Sequence, residues 1–443
     1  RRQGRKWLQT VKCAAPSTGG LTQRPEWEQP FDGAFDFSAI DAPRAAKWLR
    51  RCAADLVPVF STRFRRETRR HIGADGASVL MMLDTGAVVA GEHSEPICEL
   101  ELELEHGRPL DLLLLASALA ADVALLPSDL SKAERGYRLH QGLTDAPARA
   151  EPSSIAPTQT PLEAFRSLAF AGVRQWQANV LGAMGDPDPE FIHQLRVSQR
   201  RLRSLLRLFS PLLPAAFVAD WSARLRDNAR GFGEARDLDV LYDEILAPVA
   251  GLDAAGDAAL ARLQGLVHAA RDAARVQVLA RLDAAAQGRL LLDFVTALHA
   301  LPIDDPAQDA LTVFARRQLE RLVRKVRRRH AAACAPDGAQ ALHALRIALK
   351  RLRYALEFFT PLLPAKASAR YQKALVRAQD ALGFINDVDV ARGRLTQWAG
   401  EDAELRATAA YVCGWHAPRH ARLRRRVLAE LGALLERRPP WHR

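Results

Sequence analysis

Residues 190–214 read EFIHQLRVSQRRLRSLLRLFSPLLP, and residues 340–364 read QALHALRIALKRLRYALEFFTPLLP. Laid together without a gap, the two stretches agree at 12 of 25 positions. The same offset of 150 places Gly233-Glu-Ala-Arg-Asp237-Leu-Asp239-Val240 on Gly383-Phe-Ile-Asn-Asp387-Val-Asp389-Val390, so the register survives through a second element. A segment that recurs at one fixed, long offset marks the duplication of a structural unit. Two copies of a helical unit are expected to pack about a pseudo-twofold axis, bringing equivalent surfaces around one site.

In the first copy His193, Arg196, Arg200, Arg203 and Arg207 recur at steps of three and four, which puts them on one stripe of a helix. His343, Arg346, Lys350 and Arg353 repeat the stripe in the second copy. Leu195, Val197, Leu202, Leu206 and Phe209, matched by Leu345, Ile347, Leu352, Leu356 and Phe359, are expected to supply an apolar face opposite. Like charges one turn apart repel, so such a row calls for a counter-anion. The competing expectation is internal pairing with Asp237, Asp239, Asp387 and Asp389, for which Arg201 and Arg351 are the candidates. A third basic run, Arg316 to His330, adds charge to the second copy. Neither His193 nor His343 has a cysteine, an aspartate or a second histidine at ligand spacing, so each reads as a hydrogen-bond donor rather than a metal ligand. Nucleic acid is disfavoured as the polyanion, because the stripes carry no interleaved aromatic residues for base stacking.

The charge is segregated along the chain. Residues 1–160 hold 20 Lys and Arg against 21 Asp and Glu, while residues 161–443 hold 43 against 30, so the whole excess of +12 belongs to the repeated part. It is carried mainly by arginine, whose planar fork suits phosphate and carboxylate oxygens. With 48% apolar and 26% charged residues and no uninterrupted apolar run long enough to span a bilayer, the chain reads as a soluble, cytoplasmic protein of two or three domains. Five cysteines without CxxC spacing read as reduced, mostly buried thiols.

Prolines at 147, 152, 157 and 161 mark residues 140–160 as a linker. After it the apolar period is 3.6 throughout. Before it the period is mainly two, with strands expected at Lys6 to Lys12, Val79 to Asp84 and Cys98 to Glu105, and helices near Asp41 to Leu56 and Leu110 to Leu126. Alternation in CELELELE puts Glu99, Glu101, Glu103 and Glu105 on one face of a strand, a candidate divalent-cation site. Lys12, Arg24, Arg63, Arg66, Lys132 and Arg135 are among the cations expected on the wall opposite.

The motif H-x-x-R-V-x-x-R-R-L-R, its echo H-x-L-R-I-x-x-K-R-L-R, and the following G-x-x-R-D-L-D-V resemble a CHAD domain over residues 161–443. The resemblance implies two four-helix bundles related by pseudo-twofold symmetry, in repeat halves of about 161–300 and 311–443. It also implies a basic central cavity for inorganic polyphosphate lined by His193, Arg196, Arg200, Arg203, His343, Arg346, Lys350 and Arg353. Segments WLQTVK, RPEWE, PVFSTRFRR, MMLDTGAVVAG, EPICELELE and LSKAERGYRL resemble a CYTH domain, a triphosphate-tunnel metalloenzyme, over residues 1–139. This implies an antiparallel β-barrel that hydrolyses inorganic triphosphate with Mg²⁺ or Mn²⁺. Glu99, Glu101 and Glu103 would lie on the metal, and Lys132 and Arg135 in the closing basic segment. The family opens with a strand of the form E-x-E-x-K, and none precedes Arg1, so the expectation is a truncated or degenerate tunnel in which binding outlasts catalysis. The alternatives are a polyphosphate-binding or granule-targeting protein with an inactive tunnel, and a nucleotide- or thiamine-triphosphate-processing enzyme on the same barrel.

Overall fold

A computed structural model describes residues 1–15, 17–250, 257–302, 309–335 and 339–442. The chain divides into two compact units: residues 1–146 with 284–300, and residues 147–283 with 301–443. No helix among the described residues is long and apolar enough to cross a membrane.

The first unit begins with five short strands, β1 (Arg2–Gln3), β2 (Lys6–Lys12), β3 (Ser17–Thr18), β4 (Leu21–Thr22) and β5 (Glu26–Pro30), followed by helix α1 (Pro43–Cys52). Three long strands come next: β6 (Ser61–Ile72), β7 (Ser78–Ala90) and β8 (His93–His106). Helices α2 (Pro109–Asp122) and α3 (Lys132–His140) complete the N-terminal run. The expected strands and helices are therefore present. The expected closed barrel is not: among the described residues the strands form three separate antiparallel sheets, ordered β1-β2-β5, β3-β4 and β6-β7-β8. The short strands pair among themselves, which leaves β6 and β8 as edges, and ten of the twelve β6 residues are exposed.

Within the third sheet the register decides the chemistry. Asp84, on the central strand, lies opposite Arg66 on one side and Glu99 on the other, and its neighbour Met82 lies opposite Glu101. Asp84, Met82 and Val88 share the buried face of β7. A helix from far along the chain, α9 (Ala284–Ala300), completes this unit by packing on α2. Leu291, Val295 and Leu298 on α9 are buried, and the Arg289 Nη2 donates to the Ala121 carbonyl at 2.8 Å.

The second unit is helical: α4 (Pro161–Gly185), α5 (Pro189–Phe209), α6 (Ala215–Arg230), α7 (Gly233–Val240), α8 (Asp257–Arg281), α10 (Leu311–Ala333), α11 (Ala339–Phe359), α12 (Ala365–Ala399) and α13 (Ala403–Glu436). Capping explains several starts. Thr160 accepts from the Glu163 backbone N–H in a capping box, and Pro161 occupies the first helical position. Helices α4, α5 and α6 begin 150 residues before α10, α11 and α12 respectively. The pairs α4/α5 and α10/α11 pack alike, and α5 also meets α11. At that meeting Phe209 packs on Phe359, its own equivalent in the repeat, with ring centroids 5.9 Å apart. The proline-rich stretch 147–160 has little regular structure but is laid against these helices, with Ile155 buried.

All five cysteines are free, as expected, but they are not mostly buried: Cys98 and Cys334 are exposed and the other three half-buried. Cys98 shares the outward phase of β8, and Cys334 sits at the open C-terminal end of α10.

Candidate functional site

Two clusters of charged side chains stand out, one in each unit. In the first unit Asp84 is fully buried, and a carboxylate there requires partners. Arg66 supplies a bidentate pair, Nε to Oδ1 at 2.7 Å and Nη2 to Oδ2 at 2.6 Å. The Lys132 ammonium, brought in by α3, lies 2.7 Å from Asp84 and 2.7 Å from Glu101, and also pairs with Glu99. Arg66 reaches Glu101 at 2.5 Å, and Arg135 reaches Glu99 at 3.1 Å and Glu95 at 2.7 Å. Burial alone would raise the Asp84 carboxyl pKa, but the hydrogen bonds from Arg66 and Lys132 outweigh it and hold the carboxyl below its usual range. Burial alone would weaken the Lys132 ammonium, yet bonds to Asp84, Glu101 and Glu99 raise its pKa instead.

The helix that delivers Lys132 and Arg135 is fixed locally. Ser131 and Glu134 form a capping box at its start. Gly136 lies against Phe60 so closely that an added Cβ would come within 2.2 Å of the ring.

Oxygen atoms of Asp84, Glu99 and Glu101 lie within 4.8 Å of one another, a donor set that suits a hard divalent cation. Asp84 escaped the sequence reading, although an acid inside the apolar run VLMMLDTGAVVA was itself a signal. Glu103 is exposed on β8 opposite Leu80, outside the cluster. Of the cations expected on the opposing wall, Arg66, Lys132 and Arg135 are tied directly to the acids. Lys12 pairs with Glu26 at 2.9 Å across β2 and β5, Arg24 lies between β4 and β5, and Arg63 is exposed on β6.

In the second unit the two stripes come together. Lys350 is flanked by Arg346 and Arg353 of its own helix and by Arg196 and Arg200 of α5. Burial first, and then these four guanidinium groups, push its ammonium pKa down to about 7. Burial and the nearby Arg236 push His193 down to about 4, with Arg200 and Arg196 adding to the effect against Glu190, so the ring is neutral at pH 7. Arg200 donates from Nε to the Tyr354 hydroxyl at 2.9 Å, and Arg353 donates to the Gln379 Oε1 at 2.8 Å. His343 pairs with Asn386 at 3.0 Å. The Nε atoms of Arg203 and Arg346 are buried without a hydrogen-bond partner.

Two of the four aspartates are taken by other helices, and two meet the stripes. Asp239 is taken by Arg271 at 2.9 Å, and Asp389 faces His420 at 3.2 Å, both partners coming from other helices. Asp237 meets Arg196 at 3.5 Å, and Asp387 lies near Arg346 with its carboxyl pKa raised by burial. Arg353 also bonds to Glu357 at 2.8 Å. The internal pairing expected of Arg201 and Arg351 is corrected: Arg201 pairs with Glu357 instead of an aspartate, and Arg351 lines a cationic cavity together with Arg207. Arg207, which lies one turn beyond Arg203 and, after burial, helps to lower its pKa, is not among the arginines that act on Lys350.

The chain thus combines a unit of antiparallel sheets holding an acidic cluster with a helical unit in which two basic helices meet. Comparison with known families gives that combination its name: the CHAD domain matches residues 167–396 and the CYTH domain residues 1–137, and the chain belongs to the CHAD domain family with a CYTH domain preceding it. The crystal structure of the CHAD domain from the plant Ricinus communis is similar at 30% identity, with a TM-score of 0.55 over 67% of this chain and 99% of that one. An inorganic triphosphatase of Haemophilus influenzae is 30% identical over 147 residues, which are 33% of this chain. The chain spans 42% of that relative's length.

Proposed function

We propose that the CHAD domain binds inorganic polyphosphate at the cation group centred on Lys350, using Arg196, Arg200, Arg203 and His193 from one copy and Arg346, Arg353 and His343 from the other. The observation that carries this reading is a lysine ringed by four arginines drawn from both repeats, its ammonium pKa pushed down to about 7. A charge held at that cost is relieved by a polyanion. The pseudo-twofold arrangement of two bundles is supported by the packing of Phe209 on its equivalent Phe359.

The CYTH domain, on this reading, hydrolyses inorganic triphosphate. Asp84, Glu99 and Glu101 would hold Mg²⁺ or Mn²⁺, which would polarise phosphate oxygens toward attack by water. Arg63, Lys12 and Arg24 would bind outer phosphates. The similarity to an inorganic triphosphatase supports this assignment.

A second reading, a polyphosphate-binding protein with an inactive tunnel, is favoured by Lys132, whose ammonium pairs with all three carboxylates and occupies the place a cation would take. Phosphate release from triphosphate, measured with and without Mn²⁺, separates the two. For the binding site, Lys350→Met is expected to weaken labelled polyphosphate at least about tenfold and to flatten the fall of affinity with salt. Unchanged affinity would remove the site from the phosphate path.

A further inference from the structure

The repeat gives every groove of the helical unit a counterpart 150 residues away, and one pair of counterparts differs sharply. In the first copy Ala171, Gln175, Arg201, Leu205 and Phe358 line a groove between α4, α5 and the end of α11. The chain's own extended segment Ala150-Glu-Pro-Ser153 fills it, leaving about 20 Å³. The Glu151 carboxylate accepts from the Arg174 Nη2 at 2.9 Å, and the Ser153 hydroxyl donates to the Phe358 carbonyl at 2.8 Å.

The equivalent positions in the second copy are Arg321, Lys325, Arg351, Ala355 and Leu208, and they line a cavity of about 260 Å³. Its charge has been rewritten. Arg321 stands where the first copy has Ala171, Lys325 where it has Gln175, and Arg328 where it has Ala178. Arg201 has Glu357 as its acidic partner, whereas Arg351 faces Arg207, which occupies the position equivalent to Glu357. Five cations line the cavity and no carboxylate does, among the described residues. Burial, followed by Arg351, Arg329, Arg207 and Arg328, lowers the Lys325 pKa. The remaining lining is largely aliphatic, from Leu208, Leu322 and Ala355.

We propose that this cavity docks an extended acidic peptide of a partner protein, seated as Ala150–Ser153 is seated in the counterpart groove. Its carboxylates would lie on Arg207, Lys325 and Arg351, taking the place that Glu357 takes beside Arg201. Its small apolar side chains would cover the aliphatic floor. The floor selects a peptide over a bare phosphate chain, which has no apolar surface to bury there. This site adjoins the end of the α5 stripe at Arg203, but none of the residues assigned above to polyphosphate lines it.

The test uses the full chain and a dye-labelled heptapeptide, Ala-Glu-Ala-Glu-Pro-Ser-Ser, which is residues 148–154 carrying Arg149→Glu, read by fluorescence anisotropy. The expected result is binding that falls at least about tenfold when both glutamates are replaced by glutamine. Arg207→Glu, which gives Arg351 the kind of partner Arg201 already has, should weaken the peptide by a similar factor of about ten. Arg321→Glu, on the exposed rim where folding is indifferent to it, should act in the same direction. Lys350→Met should leave the peptide within about twofold. Equal affinity for the glutamate and glutamine peptides overturns the proposal, as does indifference to both charge reversals. Loss of polyphosphate binding in Arg207→Glu with the peptide unaffected would assign the cavity to the phosphate path instead.

Discussion

Lys350 shows what crowding does to an ordinary basic residue. Its ammonium titrates normally near 10.5, but burial and four neighbouring arginines bring it down to about 7 in the folded protein. The unfolded chain therefore holds this proton between pH 7 and 10.5 while the folded one releases it, so this residue makes stability rise with pH across that window. A bound polyanion reverses the effect by restoring the charge. Polyphosphate binding at pH 8 is expected to take up close to one proton, seen in calorimetry as a heat that scales with the ionisation enthalpy of the buffer, and Lys350→Met should abolish the uptake. The row holding Lys350 was legible because a helix reports its faces through spacing alone. Asp84 was harder to find. Its role depends on cross-strand neighbours Arg66 and Glu99, which sequence spacing does not specify.

At the scale of elements, α3 is the piece on which the acidic cluster depends. It carries both Lys132 and Arg135, and its start is written locally as S-x-x-E from Ser131 to Glu134. Its seat is not local: Gly136 admits Phe60 at a distance that leaves no room for a methyl group. Gly136→Ala is expected to destabilise the docked helix by about 1–3 kcal/mol, although alanine is the better helix former in isolation. Hydrogen exchange along Lys132–His140 should accelerate accordingly; unchanged protection would mean that Phe60 simply turns aside. The strands illustrate the same limit. Alternation located β2, β7 and β8, but it could not say which edges pair, and in place of the barrel inferred by resemblance the described residues form three separate sheets.

For the molecule as a whole, the order of residues and the membership of the units part company at α9. Sequence reading placed Ala284–Ala300 with the helical repeat, since its 3.6-residue period is that of its neighbours in the chain. Its burial partners are instead α2 and the segment after it, where the absence of a side chain on Gly288 lets it approach the Leu125 carbonyl; an added Cβ would stand 1.6 Å from that oxygen. An approach this close, against backbone and not a movable side chain, makes the glycine obligatory. Gly288→Ala should therefore cost about 1–3 kcal/mol or more in the first unit, read as faster amide exchange in α2. The same argument predicts that a fragment ending at Ala146 shows loosened α2 amides, because Leu113 and Ala120, buried in the whole chain, lose a covering helix. A synthetic peptide of residues 284–300 added to that fragment should restore the protection, and its Gly288→Ala version should not. If the bare fragment protects α2 as well as the full chain does, α9 is a passenger on this unit and not part of its core.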